Sequence, residues 1–72
     1  MTGEQVLELL LGTFSCARER TMGRHTVVVC RDCPTTVLVT EDEYAPTDLE
    51  ILEEQLRRCL GAKLARALGL RP

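Results

Sequence analysis

Seventy-two residues suffice for one domain with a modest core, and a domain this small often needs an oligomer, a metal or a disulfide for support. The net charge of −2 excludes a uniformly basic nucleic-acid binder, and Phe14 and Tyr44 as the only aromatics weaken any reading that needs stacking platforms for bases. The charge is segregated. Residues 41–54 carry seven acids and no base, residues 57–72 carry Arg57, Arg58, Lys63, Arg66 and Arg71 and no acid, and Arg18, Arg20, Arg24 and Arg31 face Glu19 alone.

No basic leader or membrane-length apolar stretch is visible, so a soluble, cytoplasmic protein is expected, with no membrane contact. In such a compartment the four cysteines should be reduced thiols rather than a disulfide framework.

Along the chain, Thr2 and Gln5 form a capping box for a first helix over residues 3–11, with Val6, Leu7, Leu10 and Leu11 on one face. Residues 13–20 alternate weakly, with Phe14 and Cys16 inward, and suggest a half-buried strand. Thr21 to Arg24 read as a turn. His25 to Cys30, with three consecutive valines, is the clearest strand. Arg31 to Pro34 form a tight turn, and Thr35 to Thr40 a third strand opened by a proline that cannot donate to a ladder. Thr47 is expected to cap a last helix from 48 to 68, Glu50 completing its box. Its stripe runs Leu49, Leu52, Leu56, Cys59, Leu60, Leu64 and Leu68, with Gly61 as the place to bend or break and Gly69 and Pro72 as the stop. If unbroken it spans about 30 Å, so its last turns are expected to meet a partner chain, a homodimer seam.

The expected fold is a single α+β domain over residues 1–72 in the order α-β-β-β-α. A three-stranded antiparallel meander carries both helices on one face, residues 27, 29, 37 and 39 point to that face, and Leu7, Leu10, Leu49, Leu52, Leu56 and Leu60 cover the core.

His25 is the only histidine, and it opens the central strand after a glycine turn, close in sequence to Arg18, Arg20 and Arg24. A histidine among arginines suits holding a phosphodiester and moving a proton. The helix 4–11, Thr13-Phe14, Gly23-Arg24-His25 and the segment Pro46 to Gly61 resemble the HicA-type mRNA interferase toxins, whose fold is similar to that of double-stranded-RNA-binding domains. The chain departs from that pattern at Arg24, where the family carries a small residue. The resemblance implies a metal-independent endoribonuclease with His25 as general acid or base, Arg18, Arg20 and Arg24 positioning RNA phosphates, and a cognate antitoxin protein as partner.

Two other readings compete. The acidic helix, through Glu50, Glu53 and Glu54, suits a non-enzymatic interaction or regulatory domain, such as a phage-encoded inhibitor, meeting a basic partner. Cys30-Arg31-Asp32-Cys33 is a CxxC at a hairpin turn, half of a zinc ribbon, and offers Cys30 and Cys33 to a small zinc-stabilised module. Cys16 and His25 are further candidate ligands, while Cys59 reads as core. The nuclease and interaction readings require no cofactor.

Overall fold

The computed structural model describes residues 1–31, 33 and 36–70. Its elements are α1 (Gly3–Glu8), a π-type turn (Leu9–Thr13), β1 (Ala17–Met22), β2 (His25–Val29), β3 (Thr36–Thr40), α2 (Pro46–Leu60) and α3 (Ala62–Ala67). The strands form one antiparallel sheet in the order β1-β2-β3. The α+β class and the order of elements are as expected, with the last helix divided. The turn residues Asp32 and Pro34, the strand start at Thr35 and the Pro72 stop lie outside the described residues.

The Thr2 capping box forms: its hydroxyl accepts from the Gln5 N–H at 3.2 Å, and the Gln5 side chain accepts from the Thr2 N–H at 2.8 Å. Gly3 then passes so close to the sheet that a Cβ there would collide with the Thr40 carbonyl. Its N–H donates to Asp42 at 3.0 Å, and Tyr44 donates to Met1 at 2.7 Å, tying the chain's start to the loop after β3.

The strand expected over 13–20 begins instead at Ala17. The first helix continues through Thr13 as a π-type turn, and Ser15 takes φ 56°, which redirects the chain before β1. At its far end β1 runs on to Met22, because the β1–β2 loop is only Gly23-Arg24, with Gly23 at φ 60°. A bulge between Arg18 and Arg20 leaves Glu19 outside the pairing.

The core face of β2 is one residue out of step with the expected set. Val28 lies opposite Val37 and Thr26 opposite Val39, and directly opposed residues share a face. Val28, Val37 and Val39 therefore enter the core, while Val27 and Val29 lie on the other face with His25 and Leu38. A run of three valines carries no period-2 signal, so the sequence could not choose the frame. Val6 and Leu10 from the first helix and Leu49, Leu52 and Leu56 from α2 cover the core, with Leu7 and Leu60 half-buried at its margin.

The cap of α2 is Ala45 rather than Thr47. Pro46 at the first helical position has no N–H to satisfy, and Asp48 accepts the Ala45 N–H at 2.9 Å, so the helix starts earlier. At Gly61 the chain takes φ 70° and ψ −166°, a region open almost only to glycine, and α3 starts afresh. The stripe survives the break: Leu64 and Leu68 are buried in the same core as Leu56.

All four cysteines are paired, contrary to the expectation of reduced thiols. Cys16 is bonded to Cys30 and Cys33 to Cys59, with Cα separations of 4.2 and 5.6 Å. The ladder explains the first pair: Ala17 faces Val29, so the next residues outward, Cys16 and Cys30, are cross-strand neighbours. The second ties the CxxC turn to the last turn of α2. Among the described residues, no helix is long and apolar enough to cross a membrane.

Candidate functional site

The residues singled out around His25 do not converge. His25 is exposed at the start of β2, paired with Met22 and Thr40, on the sheet face turned away from the helices. Arg20, opposite Val27, shares that face. Arg18 lies opposite Val28 and so on the helix side, where it lines a hollow of about 540 Å³ with Glu4 and Glu41. Arg24 is engaged by carboxylates, at 2.7 Å to Asp42 and 3.7 Å to Glu41.

The acidic helix also divides. Glu50 and Glu54 are exposed on α2, whereas Glu53 is buried, its carboxylate held by Arg57 one turn on at 2.6 and 3.0 Å. The hydrogen bond and charge of Glu53 hold the Arg57 guanidinium above the usual arginine range. Glu53 is therefore part of the fold rather than of a contact surface, a correction to its expected role. Its place in the inner row was hidden by its charge, although it lies four residues after Leu49 and three before Leu56.

A different surface draws exposed apolar groups together. Leu38 on β3 is 53 % exposed and Ile51 on α2 is 52 % exposed. They flank a groove of about 370 Å³ that runs between β3 and α2, with Tyr44 and Leu52 also lining it. The remaining walls carry Asp42, Glu43 and Asp48 with Thr40 and Gln55, and no basic side chain among the described residues. Asp42 is paired with Arg24, and Glu43 with the N-terminal ammonium at 3.3 Å, both in exposed settings where such pairs contribute little and exchange readily.

The backbone beside this groove is the outer edge of the sheet. Thr40 donates its N–H to the Tyr44 hydroxyl at 3.2 Å, while Glu41 donates back across the sheet to Arg24 at 3.2 Å. In an antiparallel strand alternate residues turn their peptide groups to the same edge, so Leu38 and Thr36 face outward with Thr40. β3 thus offers outward N–H and C=O groups next to an exposed leucine, the usual template for a further strand. The sequence frame leaves Leu38 off the core face and Ile51 off the leucine stripe, but nothing in it shows that β3 and α2 bring the two to one groove.

At the other end of α2 the four cysteines meet. The Cys33 N–H donates to the Cys30 carbonyl at 3.2 Å, so the two disulfides are joined through one turn. With every sulfur bonded to another, no group of three or more histidine, cysteine, aspartate or glutamate side chains among the described residues is arranged to hold a metal ion.

No protein-family model matches this chain, and no curated protein or solved structure matches it.

Proposed function

We propose that the chain is a non-enzymatic protein-interaction domain that receives an extended, basic segment of a partner protein along the outer edge of β3. The observation that carries this reading is the outward-facing β3 edge lying beside exposed Leu38 and Ile51 in an acid-walled groove. Strand addition supplies affinity through main-chain hydrogen bonds and specificity through alternate side chains. Here apolar side chains of the incoming strand would cover Leu38 and Ile51, and its lysines or arginines would replace the weak partners of Asp42 and Glu43. Glu50 and Glu54 extend the acidic surface along the solvent side of α2 and would steer a basic partner toward the groove.

The test is a titration of the isotope-labelled protein, followed by NMR, with two synthetic strands: one alternating lysine and valine, the other glutamate and valine. The basic strand should shift the resonances of Leu38, Tyr44 and Ile51 and lose that effect in an Asp42→Lys, Glu43→Lys variant. Equal responses to both strands, or none, contradict the reading.

A ribonuclease centred on His25 is the second reading, supported by the exposed His25 and Arg20 sharing one face. It has less to draw on, since Arg18 is on the other face and Arg24 is held by Asp42 and Glu41. Cleavage of RNA by the purified chain, abolished by His25→Ala, would favour it over strand binding.

A further inference from the structure

We infer that the four cysteines form a redox-switched metal site: two disulfides when oxidised, and a tetrathiolate holding one zinc ion when reduced. The site is independent of the β3 groove and lies at the opposite end of α2.

The placement of the sulfurs carries the inference. Every cysteine of the chain is at this one corner, contributed by the approach to β1, the end of β2, the following turn and the last turn of α2. Cys16 and Cys30 are cross-strand neighbours with Cα atoms 4.2 Å apart, Cys33 and Cys59 have theirs 5.6 Å apart, and the Cys33 N–H to Cys30 carbonyl bond holds the two pairs together. Strand alternation, which could have scattered the thiols over both faces, instead puts Cys16 and Cys30 on the helix side, and Cys33 packs against the same core. A tetrahedral zinc with bonds of about 2.3 Å separates its sulfurs by about 3.8 Å, a spacing compatible with the Cα separation within each pair, and the Cys30–Cys33 turn sets the two pairs side by side. Two ligands from a CxxC turn and two from elements packed against it form a closed structural site of this kind.

The chemistry balances. Reducing both disulfides takes four electrons and four protons, delivered by a low-molecular-weight thiol or a protein dithiol, which is itself oxidised to disulfide. Cys33 and Cys59 are half-buried, whereas Cys16 and Cys30 are each only 6 % exposed, so the reductant meets the Cys33–Cys59 bond first. Zinc then displaces the thiol protons as the thiolates coordinate it. Either form cross-links the sheet to α2, so the fold keeps a staple in a reducing or an oxidising compartment.

The experiment uses the full chain, oxidised and reduced, with zinc or cobalt(II) as probe. Native mass spectrometry should show about one zinc per reduced chain and none on the oxidised chain. The cobalt form should show thiolate-to-metal charge transfer of four-thiolate intensity and a tetrahedral visible spectrum. Chelation should unfold the reduced chain and leave the oxidised chain folded. Cys16→Ser and Cys59→Ser should each lower the charge-transfer intensity by one thiolate or abolish metal retention. A reduced wild-type chain that retains no metal overturns the inference. So does a cobalt spectrum of two-thiolate intensity, which would confine binding to Cys30 and Cys33.

Discussion

Gly3 and Gly61 are the residues whose side-chain absence the fold requires, and for different reasons. A methyl at Gly3 has no room against the Thr40 backbone, so Gly3→Ala must push the first helix off the loop after β3. Denaturant unfolding of that variant should show a lower midpoint, and the Tyr44 N–H to Met1 bond should open. At Gly61 space is ample, and the obstacle is the backbone conformation alone; Gly61→Ala should cost about 1–3 kcal/mol. Leu56, fully buried among the strands and helices, should cost about 2–5 kcal/mol when cut to alanine. The charges of α2 should separate cleanly. Glu50→Lys and Glu54→Lys, both on the surface, should leave the thermal midpoint within a few degrees, whereas Glu53→Lys should unfold the domain by burying a cation beside Arg57. Because the Arg57 pKa is raised, that side of the ion pair contributes fully below the ordinary arginine range and is lost only as the pH rises through the raised one.

At the scale of elements, period and capping explain what could be read from the sequence and what could not. The Thr2 box, the valine strand, the leucine stripe and the weak point at Gly61 each have a local physical cause, and each appears where that cause places it. Three features depended on contacts between elements. The frame of β2 was hidden in a run of valines and is set by pairing with β3. The start of α2 followed Pro46 and Asp48 rather than Thr47, since two capping patterns overlap there. The cysteine pairing needed the register of β1 on β2, which no spacing in the chain reveals. Of the candidate site residues, His25, Glu50 and Glu54 are exposed, whereas Glu53 is buried and Arg18 lies on the helix side of the sheet. The two cross-links close segments separated by 14 and 26 residues. Metal-free reduction should lower the unfolding free energy by about 2–4 kcal/mol per bond, measured by denaturant titration with and without reductant.

For the whole molecule, the two ends of α2 serve different ends. One is pinned to the sheet through Cys59, and the other stands off β3 far enough to leave an acid-walled groove. A three-stranded sheet with an outward-facing edge is an aggregation hazard unless something covers it, and the acids around the groove discourage self-pairing while admitting a basic strand. Leu38→Lys should therefore leave the fold intact, because the side chain is already half in water, and should weaken binding of the lysine–valine strand by charge repulsion and lost apolar contact. His25→Ala, on β2 and so one strand in from the β3 edge, should bind that strand as the wild type does.

The most direct measurement is amide hydrogen exchange at Thr36 and Leu38 with and without the lysine–valine strand. Strand addition predicts that the exchange of these two outward amides slows on binding, because each gains a main-chain acceptor from the added strand, while Val37 and Val39, already paired with β2, change little. Binding that leaves Thr36 and Leu38 exchanging at their original rates would contradict the account, for the partner would then be held somewhere other than the edge of β3.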